Sequence, residues 1–586
     1  MKELSAEILN VIEKAASSQK FRTQIAGSLY RICEIDNTPH SDPMITAQNE
    51  RRAFLLLEAE ISAIIGNAAI PKFIPIDPAI EKHPFYTQPH YTKTPERPQG
   101  LTCRETYQGR GNLLLVLPGA RPGKAGMSLA INSHIDTVAP HIPPRRAGNV
   151  VHGRGACDAK GQVISMIAQL RLLTAVKEHL GIAPQSDVQY QFVIEEEPGG
   201  NGSLSLAIQD PHPYDVIFVC EATLLKVHPA NRGALWFKAV IACAGAKALN
   251  PVEMAASIVL ALEDEGARIK SESDHPLFPT RPVQTNHGII GPYGSHPSAV
   301  RHLVRLWIGV GGDSTAAEPA VRAAVEKAVA EYCTRYGDKT KEADPATGKP
   351  KVDHHYDLIP VKAKKGLVLA IHGKAGHMGA VLECDGAITK MAYIVRELMA
   401  LSASKGAGKI SLGVANPDND EPWVTKRSEA PPGAERLLAL EGGQGFLPTH
   451  DIFEIQKRIV KAAAAGAKEY CKKMGVAFKD AMVSTTFDKL HNDAFARKPD
   501  SPAMKAAVYA AKKAGLWKDE PIVGWNVSCD ARIFAKQFPK REVVTFGPGS
   551  LTYAHSPQEQ MDVREIVATA KMMAIYALAL CGWEKR

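Results

Sequence analysis

Short apolar segments alternate with segments of helical periodicity between residues 113 and 220, and this alternation limits the folds open to the chain. Buried strands are predicted at 113–117, 128–132, 190–194 and 216–220, with helices at 162–176 and 203–208. Strands that alternate with helices are typical of an α/β sheet with helices on both faces. Ligands bind such sheets at strand ends, so polar side chains that follow these strands are candidate site residues.

A different pattern begins after residue 232. Strands are predicted at 234–243, 283–290 and 304–310 and helices at 251–264 and 316–332, and a similar order returns at 366–372, 384–401, 410–414 and 452–473. We therefore expect an inserted α+β domain at 233–477 that is built twice, with ferredoxin-like halves at 233–335 and 364–477. The α/β domain then comprises 1–232, which includes an extended N-terminal arm at 1–105, and 478–586. Chance similarity is the alternative, because strand–helix units are common.

Composition narrows the functional classes. The chain has 586 residues and a formal net charge of +8, but its 70 basic residues are interleaved with 62 acidic ones. The densest basic stretch, 339–365, also carries acidic residues and is expected to be a solvated loop. We therefore expect no nucleic-acid partner. No apolar run approaches about 18 residues, so we expect no membrane span.

Ten cysteines are spread along the chain without paired spacing. This distribution is typical of reduced intracellular proteins, so we expect buried free thiols and a cytoplasmic location.

The strand predicted at 128–132 is followed by His134 and Asp136. His134 offers an imidazole to a metal ion, and Asp136 can accept its other ring proton. A His-x-Asp pair is also common at protein surfaces. Asp158 lies in a glycine-bracketed turn before a predicted helix, where it could bridge two metals or simply cap the helix.

Three adjacent carboxylates, Glu195, Glu196 and Glu197, follow the next strand. Such neighbours repel one another and require cations or shared protons. Glu221 ends a further strand, and His555 follows a glycine-rich loop near the C-terminus, where a surface histidine is the alternative. Several carboxylates and two imidazoles at one sheet edge are what two divalent metals and an activated water require.

Together these motifs resemble the co-catalytic zinc exopeptidase and deacylase family, which includes aminoacylase, bacterial glutamate carboxypeptidase, succinyl-diaminopimelate desuccinylase and the carnosinase-like dipeptidases. The resemblance implies two zinc ions, with Co²⁺ or Mn²⁺ as alternatives. It places His134, Asp158 and Glu221 on one ion and Asp158, Glu197 and His555 on the other. Asp136 would then orient His134, and Glu196 would be the general base. Relatives carry a non-proline cis peptide after the bridging carboxylate, so Asp158–Ala159 is expected to be cis.

The resemblance also makes the inserted domain a lid. The sequence 373–377 is similar to the lid motif whose histidine stabilises the oxyanion, which makes His377 a catalytic candidate acting within its own chain. The corresponding segment of the first half, 245–248, lacks a histidine. A loop histidine without catalytic contact is the alternative. The doubled lid implies a monomer, and a dimer stays open.

Three residues are candidates for substrate binding: Arg532, Gly549 and Arg301. An arginine fork would suit a substrate carboxylate, although Arg532 could equally form a structural ion pair with Asp530.

The chain departs from the family pattern at three places. Glu195 replaces the usual aspartate, Ala222 replaces a proline, and the N-terminal arm is longer than usual. The arm could cover the substrate cleft or another subunit.

The resemblance implies a dinuclear-zinc hydrolase that cleaves the amide bond of a dipeptide, a short peptide or an N-acyl amino acid by activated water. A catabolic amidase or deaminase acting on a non-peptide compound with the same metals is the first alternative. A basic binding protein with structural metals is the second, and the carboxylate-rich ligand set disfavours it.

Overall fold

The computed structural model describes residues 2–94, 96–121, 126–243, 248–291, 299–344, 348–361, 366–374, 376–377, 385–403, 410–414, 437–487 and 491–585. Within these ranges the chain forms two compact units. The first comprises Met1–Gly233, Pro276–Pro279 and His491–Arg586, and the second comprises Ala234–His275 and Thr280–Leu490.

The α-helices lie at the following positions: α1 Ala6–Ser17, α2 Gln19–Cys33, α3 Pro43–Ile65, α4 Cys103–Thr106, α5 Lys160–Leu180, α6 Asn201–Gln209, α7 Pro251–Glu272, α8 Ser314–Tyr336, α9 Ala387–Ala403, α10 Ile452–Lys473, α11 Pro502–Ala514, α12 Ala531–Gln537 and α13 Val563–Cys581.

The first half of the strands comprises β1 Lys72–Pro75, β2 Gly111–Leu117, β3 Leu129–His134, β4 Arg145–Ala147, β5 Val150–His152, β6 Ile182–Pro184, β7 Val188–Val193, β8 Val216–Val219, β9 Ala230–Asn231, β10 Gly233–Ala242, β11 Thr285–Ile290 and β12 Ala299–Val300. The second half comprises β13 Leu303–Val310, β14 Tyr356–Val361, β15 Gly366–His372, β16 Gly376–His377, β17 Ile410–Val414, β18 Leu437–Phe446, β19 Val483–Thr486, β20 His491–Asn492, β21 Phe495–Ala496, β22 Glu542–Thr545, β23 Gln560–Asp562 and β24 Trp583–Lys585.

The first unit is built on a six-stranded sheet with the order β1-β2-β7-β3-β8-β22. Strands β7, β3, β8 and β22 run parallel, so their carboxyl ends meet at one edge. Helices α5 and α13 pack together against β3, whereas α6 and α12 form a second pair against β2, β8 and β22. The expected α/β class is confirmed, with element ends that differ from the predicted ones by a few residues.

The N-terminal arm belongs to the first unit. Helices α1, α2 and α3 pack on α5, and β1 pairs antiparallel with β2 at the edge of the sheet. Helix α5 is consequently buried on almost every side, which agrees with its lack of a single apolar stripe. The arm therefore contributes to the core of its own unit, and the expectation that it covers another subunit is not needed to explain its length.

The second unit contains the strands β11-β18-β10-β19 of a five-stranded sheet, in which β20 also pairs with β10, and a four-stranded sheet with the order β14-β15-β13-β17. Each sheet has the ferredoxin-like order β-α-β-β-α-β along the chain. The ferredoxin-like unit from β13 to β17, called the inner one, is continuous in sequence. It lies in the connection between β11 and β18 of the other ferredoxin-like unit, called the outer one. The expected halves at 233–335 and 364–477 are therefore wrong in their boundaries. One ferredoxin-like unit is nested inside the other, because strands distant in sequence complete the outer sheet.

The C-terminal boundary of the inserted region also differs from the expected residue 478. The chain returns to the first unit at His491. Strand β19 pairs antiparallel with β10, which keeps residues 483–486 in the outer ferredoxin-like sheet. The stretch 339–365, expected to be a loop, contains β14 at an edge of the inner sheet.

Nine of the ten cysteines lie in the described ranges, and all nine are free thiols. Eight of them are buried, which confirms the expectation for these eight, whereas Cys333 is partly exposed. Among the described residues we find no helix long and apolar enough to span a membrane.

Phe218 anchors the core beneath the central sheet. Its ring centroid lies 5.9 Å from that of Phe546 and 5.3 Å from that of Tyr576, and its side chain is fully buried. We expect Phe218→Ala to lower the free energy of unfolding by about 3–5 kcal/mol, because it leaves a cavity at a closely packed position. Urea unfolding followed by fluorescence measures this change. Phe453→Ala is the matched control, since Phe453 is 45% exposed, and it should change stability by less than about 0.5 kcal/mol.

Candidate metal centre

The candidate site lies at the carboxyl edge of the central sheet in the first unit. His134 is the last residue of β3, and Glu196 and Glu197 follow β7 by a few residues. Glu221 follows β8, and His555 lies in the loop after β22. These strands are parallel neighbours, so the topology brings the side chains together as predicted.

Asp158 lies between two imidazoles. Its Oδ1 is 3.3 Å from Nε2 of His134, and its Oδ2 is 3.3 Å from Nε2 of His555. Helix α5 begins after Asp158 and takes Ala159 as its N-cap without a side-chain hydrogen bond. The helix-capping alternative for Asp158 is therefore wrong. The Asp158–Ala159 peptide is cis, as predicted.

Two groups of potential ligands share Asp158. Ligand atoms of His134, Asp158 and Glu221 lie within 4.8 Å of one another, and the same is true of Asp158, Glu197 and His555. His555 Nε2 is 3.0 Å from Glu197 Oε1, and His134 Nε2 is 4.0 Å from Glu221 Oε1. The structure thus brings together the two ligand sets that the resemblance implies.

Asp136 positions both sides of the site. Its two carboxylate oxygens accept hydrogen bonds from the backbone N–H groups of Glu196 and Glu197, at 3.2 and 3.0 Å. His134 Nδ1 lies 3.0 Å from the Asp136 carbonyl oxygen and 3.4 Å from its Oδ1. A proton on Nδ1 would satisfy these oxygens and leave the Nε2 lone pair directed at Asp158.

Burial and mutual repulsion shift the pKa values of the acidic groups. Burial raises the pKa of Glu196 well above its ordinary value, His134 opposes this shift, and neighbouring carboxylates add to it. Burial also raises the pKa values of Glu197 and Glu221. For Asp158, burial acts in the same direction, but contacts with the two imidazoles lower its pKa overall. The carboxylates and imidazoles therefore compete for protons.

Divalent cations would relieve this competition, because they take lone pairs from both kinds of group. Nε2 of His134 is buried and has no hydrogen bond of acceptable geometry in the described part of the chain. A buried imidazole nitrogen that faces two carboxylates is a suitable metal ligand. The residues therefore fit a pair of divalent ions that share Asp158.

The model of peptidase family M20/M25/M40 matches residues 130–579, which is most of the chain. The chain belongs to this family. The match extends from β3 into α13 and so contains every predicted metal ligand. The resemblance inferred from the sequence motifs is confirmed.

Known relatives within the family differ widely from this chain. A peptidase M20 domain-containing protein of Schizosaccharomyces pombe is 34% identical over 129 residues, which are 22% of this chain and 30% of that protein. The chain thus spans less than a third of that curated relative. The dipeptidase Dug1p of Saccharomyces cerevisiae has a TM-score of 0.54 at 14% identity, with 98% of both chains covered. Human carnosine dipeptidase 1 has a TM-score of 0.55 at 12% identity, with 98% of this chain and 99% of that chain covered. At these identities the likeness concerns the fold.

Glu196 stands apart from the two ligand groups in this M20 family chain. Its Oε2 is 4.0 Å from Nε2 of His134, and its side chain is 16% exposed. It therefore lies beside the candidate ligands and is partly accessible to solvent, as a general base requires.

The candidate substrate residues of the first unit are occupied internally. Arg532 is buried and donates to the Gly199 carbonyl oxygen at 2.8 Å. Gly549 donates its N–H to Glu565 at 2.8 Å, and its carbonyl accepts from Leu224. Both contacts support loops of the site, whereas Nε of Arg532 is buried and has no hydrogen-bond partner among the described residues. No ion pair between Arg532 and Asp530 is found within 4.0 Å in the described structure.

The remaining candidates belong to the second unit. His377 lies in β16, which pairs with β12. Arg301 donates from Nε to the Leu303 carbonyl at 3.1 Å. A catalytic role for His377 within its own chain stays a prediction. Of the first-half segment 245–248, residues 245–247 lie outside the described residues.

Glu195 has a role that sequence reasoning missed. Its buried carboxylate pairs with Arg110 and accepts hydrogen bonds from the Tyr91 and Tyr107 hydroxyls, at 2.6 and 2.9 Å. Arg110 in turn pairs with Glu50 on α3. Glu195 therefore turns away from the ligand groups and ties the turn after β7 to the N-terminal arm. The replacement of the usual aspartate by a longer glutamate was the only sign of this role in the sequence. The partners of Glu195 could not be predicted, because they lie far upstream in the chain.

We expect Arg110→Met to lower the free energy of unfolding by about 3–5 kcal/mol, because it leaves two buried carboxylates without their cation. Urea unfolding at neutral pH measures the effect. Arg121→Met is the control, since Arg121 is 64% exposed and pairs with Glu584 at the surface. Its loss should cost no more than about 1 kcal/mol. Equal effects of the two changes would contradict the structural role of the Arg110 network.

Proposed function

We propose that the chain is a dinuclear-metal hydrolase that cleaves the amide bond of a dipeptide, short peptide or N-acyl amino acid. The observation that carries the proposal is Asp158, which contacts imidazoles from both ligand groups at 3.3 Å. Membership of a peptidase family supports amide hydrolysis.

His134, Glu221 and Asp158 would hold the first ion, most simply Zn²⁺, and Glu197, His555 and Asp158 would hold the second. Three carboxylates nearly balance the charge of two divalent ions. When bound, the ions would supply Lewis acidity toward the amide carbonyl and toward a water molecule.

Glu196 is the proposed general base. Its carboxylate takes a proton from the attacking water as the new carbon–oxygen bond forms. The same proton then passes to the amide nitrogen as the carbon–nitrogen bond breaks, which releases an amine and regenerates the carboxylate. Asp136 supports this step, because it accepts from the Glu196 backbone N–H and fixes the turn that carries the base.

The substrate class rests on weaker support. Both solved structures named above are dipeptidases, which favours a short substrate. The Gly549 N–H is used internally, and Arg532 uses one guanidinium nitrogen internally, whereas its Nε has no hydrogen-bond partner in the described part of the chain. Arg532 therefore stays the candidate for binding a substrate carboxylate.

We expect Glu196→Gln to lower kcat about 10²–10⁴-fold without loss of bound metal, because the amide cannot accept the proton. Hydrolysis of a panel of dipeptides, N-acyl amino acids and aromatic amides provides the rates, and elemental analysis provides the metal content. Glu520→Gln is the control, since Glu520 pairs with Lys226 at the surface. A Glu196→Gln enzyme with the wild-type kcat would exclude Glu196 as the base.

Removal of metal by a chelator should abolish turnover, and Zn²⁺, Co²⁺ or Mn²⁺ should restore it. Asp158→Asn should weaken both ions, because one residue serves both groups, whereas Glu221→Gln should weaken only one. Metal content after dialysis at a fixed free Zn²⁺ concentration distinguishes these outcomes. Equal metal loss in the two variants would contradict a shared carboxylate.

A further inference from the structure

A second cluster of metal-ligating side chains lies in the inner ferredoxin-like unit. It comprises His354, Asp357 and His372, whose ligand atoms lie within 4.8 Å of one another. Asp357 belongs to edge strand β14, His372 ends β15, and His354 precedes β14. None of these residues is part of the proposed peptidase centre.

The backbone of this cluster is held firmly. Asp357 is paired with Ala370, so His372 is its diagonal neighbour on the same face of the sheet. The His372 backbone N–H donates to the His355 carbonyl at 2.8 Å, and its own carbonyl accepts from buried Lys390 at 2.6 Å. The ends of β14 and β15 therefore present two of the three side chains from ordered strands.

Both imidazoles converge on one oxygen atom. Asp357 Oδ2 lies 3.0 Å from Nε2 of His354 and 2.8 Å from Nε2 of His372. The two ring centroids are 4.5 Å apart.

This geometry suits a divalent ion. Ligands about 2.0–2.1 Å from Zn²⁺ at the corners of a tetrahedron are about 3.3 Å apart, so the two distances from Asp357 Oδ2 to the imidazole nitrogens need to widen by only a few tenths of an ångström. Each ring would move its proton from Nε2 to Nδ1. Half-exposed side chains, 53% for His354 and 52% for Asp357, leave room for water as a further ligand.

A neighbouring group, Cys333, Asp338 and His355, has similar separations but a different environment. The Lys390 ammonium donates to Nδ1 of His355 at 3.1 Å. A lysine ammonium is only a donor, so Nδ1 must keep its lone pair and Nε2 must carry the proton. His355 therefore donates a hydrogen bond to Asp338, and neither of its ring nitrogens offers a lone pair to a cation. The group of His354, Asp357 and His372 is therefore the candidate cation site.

We propose that His354, Asp357 and His372 form a separate binding site for a borderline divalent cation such as Zn²⁺, Ni²⁺ or Cu²⁺, with water completing the coordination. The ion links the segment before β14 to the end of β15 and so clamps the edge of the inner sheet. The site does not depend on the peptidase centre.

The test counts zinc ions on the metal-loaded full chain by equilibrium dialysis at a fixed free Zn²⁺ concentration. The double variant H354A/H372A should bind one ion fewer than the wild type and keep its hydrolytic activity. His212→Ala is the matched control, because His212 forms a similar pair with Asp187 at 2.9 Å, with one imidazole. It should bind as many ions as the wild type.

Cu²⁺ provides a second readout. Electron paramagnetic resonance of the wild type with one added equivalent should show coupling to two imidazole nitrogens, and H354A/H372A should lose this signal. An unchanged zinc count in the double variant would overturn the proposal. If Asp158→Asn loses no zinc while H354A/H372A does, the peptidase assignment fails and this site stands.

Discussion

The contact of one carboxylate with two imidazoles organises the first unit. Asp158 receives His134 from the end of β3 and His555 from a loop some 400 positions further along the chain, each at 3.3 Å. These contacts require β3 and β22 to lie in one parallel sheet with β8 between them. The remaining candidate ligands, Glu197 and Glu221, then arrive on the neighbouring strands. Burying several charged groups together lowers the stability of the fold. Apolar packing elsewhere must offset this cost, and the buried helices α5 and α13 provide such packing.

The N-terminal arm shows how distant residues support the centre. Glu195 adopts a positive φ of 67° immediately before the two functional glutamates. Its carboxylate is fixed by Arg110, Tyr91 and Tyr107, all of which precede the central strands of the sheet. The turn after β7 is thus held on one side by Tyr91 of the arm together with Tyr107 and Arg110, which follow the arm, and on the other side by Asp136. A sequence motif shows that a glutamate replaces an aspartate, but it does not show what the extra methylene reaches.

Much of the centre could be predicted from sequence because the position of each ligand depends on the residues next to it in the chain. Each ligand follows an apolar strand by at most a few residues, or lies in a glycine-rich turn, and parallel strands place such residues at one edge. The nested arrangement of the second unit could not be predicted in the same way. The order of strands and helices was visible, but β18 pairs with β11 across about 150 residues, and only long-range packing decides that partner. The uses of Arg532 and Gly549 were also hidden, because a buried arginine and a substrate-binding arginine look alike in a sequence.

The nesting of the two ferredoxin-like units has a topological consequence. Ile290 at the end of β11 is the register partner of Leu440 in β18, and the Gly291 N–H donates to the Ala439 carbonyl at 2.8 Å. The outer unit therefore contains a β-hairpin whose loop has become an entire folded domain. The inner unit begins with β13 and ends with β17, and these two strands pair with each other. The chain therefore enters and leaves the inner unit at nearby points. The entropic cost of closing a loop grows only slowly with loop length. An inserted domain in place of the hairpin loop therefore changes the stability of the paired strands little. The inner unit can consequently change in sequence, surface and ligands while the sheet of the outer unit keeps the same hydrogen-bond ladder.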